Sequence, residues 1–131
     1  MTLLDTHAVV WWVNGTPALS AKARRALAGA SRAEPALLSA ISVFEIATAV
    51  RRGRLDLGES VDRWLGDVAS LPEIRVMPVT QEIARVAGAF DASVPGDPAD
   101  RIIAATALTL GATLVSADAR LCRVPQLQVI W

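Results

Sequence analysis

The stretch "PADRIIAATALTLGATLVSAD", residues 98–118, predicts one helix followed directly by one strand. Pro98 suits the first position of a helix, because the amide hydrogen that it lacks would have no helical partner there. Gly111 suits the end of that helix, where a left-handed backbone is common. "TLVSAD" is typical of a short strand and ends at Asp118. A helix that returns directly into a strand indicates an α/β protein with a parallel sheet.

The same alternation continues on both sides of this stretch. The predicted strands are, in chain order, "MTLL", "ALLSA", "IRVMPV", "TLVSAD" and "LQVIW". The predicted helices are "THAVVWWVN", "LSAKARRALAGA" with Ser20 near its start, a helix around Glu45 that stops at Gly53, "ESVDRWLGDVASL", "TQEIARVAGAF" with Thr80 as its cap, the helix that begins at Pro98, and the short "ARLCRV". This pattern predicts an α/β fold with a central, mainly parallel sheet of about five strands.

The length of the chain indicates a single domain. A chain of 131 residues can bury a core of its own, so we expect one domain over residues 1–131. No apolar run reaches the length of about 20 residues that crosses a bilayer. The start "MTLLDTHAVV" lacks the basic segment and the cleavage site of a signal peptide. We therefore expect a cytoplasmic protein.

Cysteine and histidine are each present once, as Cys122 and His7. This excludes a disulfide framework, a zinc finger and a Cys–His nucleophile pair. Any metal bound by this chain must therefore be held by oxygen ligands.

The 13 basic and 13 acidic residues balance, so no global basic field indicates a nucleic-acid partner. Arginines do cluster locally, at 24–25 and at positions 51, 52 and 54, where they could contact phosphates or could be solvated residues near helix ends. The hydrophobic fraction of 53% and the mean hydropathy of +0.40 are high for a small soluble domain. Some apolar surface is therefore expected to contact another chain.

Four acidic residues are predicted to lie at one edge of the sheet. Asp5 and Asp118 each follow a predicted strand, Glu45 lies in the early turns of a helix that leaves a strand, and Asp100 lies in the first turn of another. In parallel sheets these positions share the edge where ligands bind. Two like charges about 4 Å apart repel by about 4 kcal/mol, so such a cluster needs a cation. Oxygen ligands favour Mg²⁺ or Mn²⁺, whose bound water can hydrolyse a phosphodiester.

Each acid also has an ordinary structural explanation. Asp97 and Asp100 flank Pro98 at a helix start, where an aspartate cap and an acid in the first turn are common. Asp118 could be a cap, and Glu45 could belong to a narrow solvated face of its helix. Asp5 is the hardest to explain in this way, because it lies between a core-like strand and the apolar "AVVWWV".

Four segments resemble the PIN-domain nucleases, and specifically the VapC-type toxins of bacterial toxin–antitoxin modules. The segments are "LLDTHAVVWW", "SAISVFEIATAVRRGRL", "GDPADRIIAATA" and "TLVSAD", and together they extend in order along nearly the whole chain. Four ordered motifs with matching flanks are a specific signal. The resemblance implies a PIN-like three-layer α/β/α fold. It also implies that Asp5, Glu45, Asp100 and Asp118 take the acidic positions of a metal site. Thr6 is implied as a hydroxyl group that assists beside them.

The resemblance further implies an activity and partners. PIN-domain toxins of this kind are metal-dependent endoribonucleases that hydrolyse RNA phosphodiester bonds and leave 5′-phosphate and 3′-hydroxyl ends. By this resemblance Asp5, Glu45 and Asp100 would hold Mg²⁺, with Mn²⁺ as a possible substitute, and Asp118 would complete the site. The family implies a homodimer and a cognate antitoxin that covers apolar helices and reaches into the acidic site with a basic side chain.

The remaining motif residues are expected to be structural. Asp97 is interpreted as a helix cap, His7 as a structural residue, and Trp11 and Trp12 as core or dimer contacts.

Two other functions are compatible with parts of this pattern. An aspartate-based phosphatase would use Asp5 as a nucleophile after the first strand, but it would need a second acid where this chain has His7, and Lys22 is the only lysine. A non-catalytic PIN-like binding module would need no metal site, yet all four acids are present.

Overall fold

The structure is a computed structural model that describes all residues, 1–131. It contains every predicted helix and strand in the predicted order. The strands are β1 (Thr2–Leu4), β2 (Ala36–Ser39), β3 (Ile74–Met77), β4 (Thr113–Val115) and β5 (Val129–Ile130). The helices are α1 (Thr6–Val13), α2 (Ala21–Leu27), α3 (Ala40–Arg51), α4 (Val61–Ser70), α5 (Gln81–Ala89), α6 (Pro98–Leu110) and α7 (Ala119–Cys122).

The five strands form one sheet in the order β3-β2-β1-β4-β5, and every pair is parallel. The central strand β1 pairs with both neighbours at the same residue, since Leu3 is in register with Leu37 of β2 and with Leu114 of β4. From β1 the chain moves outward to β3 and then crosses back to β4 on the other side. This reversal beside β1 is the place where open parallel sheets bind ligands.

Alternate residues of the strands face opposite sides of the sheet. On one side, Leu4, Leu38 and Val115 pack in a core with residues of α1 to α4. On the other side, Leu3, Leu37 and Leu114 pack in a second core with residues of α6 and α7. Helix α5 lies against α6 through a small third cluster. These layers confirm the predicted three-layer α/β/α fold, and the sheet is entirely parallel.

Helix boundaries follow the predicted capping residues. The Ser20 and Thr80 side chains cap α2 and α5 by accepting hydrogen bonds from backbone amides of the first turn. Gly111 ends α6 with a φ of 64°, a left-handed conformation that a side chain would disfavour. None of the helices has the length and apolar character needed to span a membrane.

Candidate active site

The five residues predicted as a site lie around one pocket at the carboxyl edge of the sheet. The pocket has a volume of about 530 Å³ and is lined by Asp5, Thr6, Glu45, Asp100 and Asp118 together with apolar residues. The acids come from four segments that are far apart in sequence. The parallel topology brings them together, as the sequence pattern predicts.

Asp5 is fixed at the end of β1 by contacts to both of its carboxylate oxygens. Its Oδ1 accepts a hydrogen bond from the Thr6 amide at 2.8 Å, and its Oδ2 accepts one from the Ser116 hydroxyl at 2.6 Å. The residue is only 4% exposed, and Ser116 is fully buried. Because an unpaired carboxylate would be costly at this depth, these donors account for its position.

Thr6 connects the first acid to the second. Its hydroxyl donates a hydrogen bond to Glu45 Oε1 and lies 2.9 Å from the hydroxyl oxygen of Ser42. Since each hydroxyl carries one proton, Ser42 donates to Thr6 when Thr6 donates to Glu45. Ser42 is fully buried in α3, one turn before Glu45. This chain of hydroxyls orients the Glu45 carboxylate toward the pocket.

The other two acids are joined by an arginine. The guanidinium of Arg120 donates to Asp100 Oδ2 at 3.1 Å and to Asp118 Oδ2 at 2.7 Å. Asp118 also caps α7, because its Oδ1 accepts from the Arg120 amide. The Arg120 side chain is 61% exposed, whereas those of Asp100 and Asp118 are 15% and 19% exposed. A solvent-facing cation therefore covers one side of the acidic cluster.

The acids perturb one another's protonation. Burial raises the pKa of Asp100 to about 6, and the neighbouring charges of Asp97 and Asp5 add to that rise. Burial likewise raises the pKa of Glu45, although its hydrogen bond with Thr6 acts in the opposite direction. The hydrogen bond from Arg120 lowers the pKa of Asp118. Carboxyl groups whose pKa values are perturbed by burial and by neighbouring charges are a physical sign of a functional site.

His7 lies beside Asp5 and packs against two tryptophans. The His7 Nε2 accepts a hydrogen bond from the Ala117 amide at 2.8 Å, so the ring proton lies on Nδ1, 3.7 Å from Asp5 Oδ2. The ring is 4.9 Å from Trp11 and 5.8 Å from Trp131, measured between centroids. These contacts agree with a structural role for His7. Trp12 packs against the first core, as predicted for a core residue, whereas Trp11 also lines the pocket.

The residues of the pocket have the chemistry of a divalent-cation site. Four carboxylates and a threonine hydroxyl supply only oxygen donors, which suits Mg²⁺ or Mn²⁺. No three of these carboxylates converge as a ready-made cage, and Arg120 holds two of them toward itself. The oxygen donors suit a divalent cation by their chemistry, and Asp100 and Asp118 would have to leave Arg120 to bind one.

Several structural residues were not identified from the sequence. The buried Ser116 hydroxyl holds Asp5 directly, and the buried Ser42 hydroxyl holds Glu45 through Thr6. Arg120 pairs with Asp100 and Asp118. The serine of "TLVSAD" was visible in the sequence, but its partner lies 111 residues away.

Asp97 has the role expected from its position before Pro98. It caps α6 through the amides of Ala99 and Asp100, and it does not line the pocket. This confirms the helix-cap interpretation.

Comparisons with known proteins give a family and a fold. The PIN domain family model matches residues 2–127 of the chain. The chain is 37% identical to Ribonuclease VapC22 of Mycobacterium tuberculosis over 131 residues, which cover 98% of this chain and 97% of that protein.

Solved structures show the same fold at lower identity. A chain of VapBC2 from Rickettsia felis, bound to a DNA fragment from its promoter, has a TM-score of 0.72 at 19% identity and matches 98% of this chain and 96% of its own. A chain of a toxin–antitoxin complex from Klebsiella pneumoniae has a TM-score of 0.66 at 19% identity and matches 97% of this chain and 95% of its own.

Proposed function

Since this chain belongs to the PIN domain family and to the VapC group within it, we propose that it is a ribonuclease toxin that hydrolyses RNA phosphodiester bonds. The observation that carries the proposal is the single pocket that Asp5, Glu45, Asp100 and Asp118 line together with Thr6. The likeness to Ribonuclease VapC22 supports RNA as the substrate. We further propose that residues 1–131 form a single PIN domain.

The acids are proposed to hold a divalent cation, Mg²⁺ or Mn²⁺. Asp5, Glu45 and Asp100 would bind it directly or through water, and Asp118 would complete the set when it leaves Arg120. When bound, such an ion lowers the pKa of its water and neutralises charge on a phosphate, which favours hydrolysis to a 5′-phosphate end.

Protein groups around the acids keep this site in place. Ser116 and the Thr6 amide hold the two oxygens of Asp5, so the carboxylate cannot turn away from the pocket. The Thr6 hydroxyl holds Glu45, and the mutual repulsion of the acids keeps their affinity for a cation high. Thr6 is thus proposed as a positioning residue that acts through Glu45.

The geometry argues against the phosphatase alternative. His7 occupies the position where a second acid would be needed, and its Nε2 is bound to the Ala117 amide. A non-catalytic module would not need the four acids to be held at one edge against their repulsion.

A partner protein is also proposed. The toxin–antitoxin complex among the structural neighbours supports a cognate antitoxin, and the family resemblance supports a homodimer. Phe44, next to Glu45 in α3, is 65% exposed, which is unusual for so large an apolar side chain. An antitoxin segment that covers Phe44 could also reach the acidic pocket with a basic residue.

The function is tested by RNA cleavage with purified protein in Mg²⁺, in Mn²⁺ and in EDTA. We expect cleavage with either metal, none in EDTA, and products that carry 5′-phosphates. Folded Asp5→Asn and Glu45→Gln variants should lose roughly 100-fold or more in kcat/KM, which is typical when a metal-site ligand is lost. Asp62→Asn, an exposed acid of α4, is the matched control and should cleave like the wild type.

Cleavage that persists in EDTA, or equal cleavage by Asp5→Asn and the wild type, would contradict the proposed metal-dependent site. Failure of the wild type to cleave single-stranded, transfer or ribosomal RNA in either metal would favour the binding-module alternative.

A further inference from the structure

The candidate pocket has two halves of different chemistry. One half carries the acids. The apolar residues that line the pocket, which we call its apolar half, are Val10 and Trp11 from α1, Ile46 and Ala49 from α3, and Leu55, and the exposed Arg54 also lines the pocket. Only the acidic half is used by the proposed hydrolysis. The apolar half is therefore unexplained, although it is continuous with the reacting centre.

The pocket is larger than a hydrated cation requires. Its volume of about 530 Å³ lies within the range of roughly 300–1,000 Å³ that is usual for pockets that bind organic ligands, so an organic group could lie beside the cation. The size of the pocket thus fits a phosphate at the acids together with one neighbouring base.

Trp11 lines the apolar half and packs against two other aromatic rings. Its indole lies 4.9 Å from the His7 ring and 5.5 Å from the Trp131 ring, measured between centroids. His7 is itself fixed by the Ala117 amide. A braced aromatic ring loses little conformational entropy when a ligand stacks on it, so it is a favourable stacking surface.

We propose that the apolar half of the pocket is a subsite for one unpaired nucleobase of the RNA, next to the phosphodiester that is cleaved. Single-stranded RNA is recognised by stacking of splayed bases on aromatic side chains, and its phosphates by arginine. Trp11 supplies the stacking surface, Ala49 leaves space for the base one helical turn after Glu45, and Arg54 contacts the adjoining phosphate. The inference rests on the proposed ribonuclease function, because it assigns the second half of that site.

The direct test uses the indole N–H signals of the 4 tryptophans in ¹H–¹⁵N spectra of the full chain with Mg²⁺. AMP, CMP, GMP, UMP and ribose 5-phosphate are titrated separately, and Trp11→Phe assigns the Trp11 signal. We expect at least one nucleotide to shift the Trp11 signal in a saturable way and ribose 5-phosphate to leave it unchanged. An equal response to ribose 5-phosphate, or no response to any nucleotide, would overturn the subsite.

Two matched pairs of variants test the same subsite in RNA cleavage. Trp11→Leu removes the stacking surface, and its control is Trp12→Leu on the same helix, outside the pocket. Ala49→Leu fills the base position, and its control is Ala47→Leu on α3. Trp11→Leu and Ala49→Leu should lower kcat/KM on single-stranded RNA roughly tenfold or more, the effect typical of a lost base stack. Mn²⁺ affinity, measured by calorimetry, should be unchanged in both.

The outcomes separate this inference from the proposed function. If the wild type cleaves RNA and Ala49→Leu cleaves equally well, the subsite is wrong while the ribonuclease remains. If no RNA is cleaved but the Trp11 signal responds to nucleotides, the ribonuclease is wrong and the base-binding pocket remains. If Trp11→Leu does not fold, Ala49→Leu decides the result, because it removes no contact of the core.

Discussion

At the scale of single residues, Arg120 sets the state of the acidic cluster. Its guanidinium lies within 3.1 Å of Asp100 and 2.7 Å of Asp118, so the chain supplies a positive charge of its own where a cation is proposed. A metal ion would have to displace it. The arginine thus pairs with both acids, and we expect it to oppose binding of the proposed metal ion.

Replacing Arg120 by glutamine should therefore increase metal affinity. The arginine is exposed and its competition is weakened by solvent, so the Kd for Mn²⁺ should fall only about fivefold in calorimetric titration. The matched control is Arg123→Gln, an exposed arginine at the end of α7 that contacts none of the acids. Weaker Mn²⁺ binding by Arg120→Gln would mean that the arginine supports the metal site.

Asp100 gives the protein a pH dependence whose sign follows from its raised pKa. Its pKa is raised from 3.8 to about 6. Between pH 3.8 and pH 6 the carboxyl group is therefore protonated in the folded chain but ionised in the unfolded chain. Above pH 6 the Asp100 carboxylate is charged in the folded protein, and its full unfavourable contribution to the free energy of unfolding is present. As the pH falls from 6 toward 3.8 this contribution is lost, and the folded protein becomes more stable. The raised pKa of Glu45 acts in the same direction.

In EDTA, thermal unfolding should therefore occur at a higher temperature at pH 5 than at pH 7.5. Allowing for solvent screening of a half-buried group, the expected gain is about 1 kcal/mol, or a few degrees in Tm. Asp100→Asn should remove most of this difference, whereas Asp62→Asn, remote on α4, should keep it. A lower Tm at pH 5 in the wild type would contradict the assigned shift.

At the scale of elements, the helices and strands could be predicted from the sequence, but the contacts that join them could not. Caps such as Ser20, Thr80 and Asp97 are local signals, since each acts on an amide two or three residues away. Asp5 and Ser116 are 111 residues apart, and no local pattern pairs them. The site could be predicted as a set of acids because topology alone collects them at one edge. The side chains that orient them were not predictable in this way.

Arg101 illustrates the same limit between two elements. It follows Asp100 in "PADRII" and would be a reasonable candidate for phosphate binding, yet its guanidinium turns toward α5. It donates to backbone oxygens of Ala87 at 3.0 Å and of Phe90, and to those of Asp91 and Val94 at 3.4 and 3.5 Å. Carbonyls at a helix end have no helical partner, so Arg101 joins the end of α5 to α6.

We expect Arg101→Lys to lower the free energy of unfolding by about 2 kcal/mol, because an ammonium group cannot reach several carbonyls at once. Denaturant unfolding measures the loss. Arg85→Lys, an exposed arginine of α5, is the control. It should change stability by less than about 0.5 kcal/mol, as is usual for a surface substitution. Equal stability of Arg101→Lys and the wild type would show that these hydrogen bonds are weak.

At the scale of the whole molecule, the apolar excess noted in the sequence lies partly on the surface. Phe44 is 65% exposed, and Val76, Val79, Leu71 and Leu108 are 36% to 41% exposed. Val76 belongs to the edge strand β3, and Phe44 lies on α3 next to Glu45. The prediction that other chains cover part of this surface is therefore supported by the exposure of these apolar side chains as well as by the composition of the chain.

The isolated chain should form a homodimer of twice 13.9 kDa in light scattering at micromolar concentration. If α3 contributes to an interface, Phe44→Ser should raise the dissociation constant about tenfold or more, as for a large apolar residue at the centre of an interface. The Phe44→Ser variant should keep the thermal stability of the wild-type monomer, since the Phe44 side chain is largely exposed. Arg51→Ser, an exposed residue farther along α3, is the control. A monomer at all concentrations would contradict the predicted homodimer.

The order of synthesis gives the pairing of Asp5 with Ser116 a further meaning. Asp5 leaves the ribosome 111 residues before the serine that holds it, and strand β1 leaves it long before its neighbour β4. A growing chain therefore has no assembled pocket until β4 and Ser116 have been made. Translation that stops before this point yields a chain that carries Asp5 and Glu45 but lacks Asp118 and the serine. The edge of the sheet that carries the four acids is thus among the later parts of the protein to be completed.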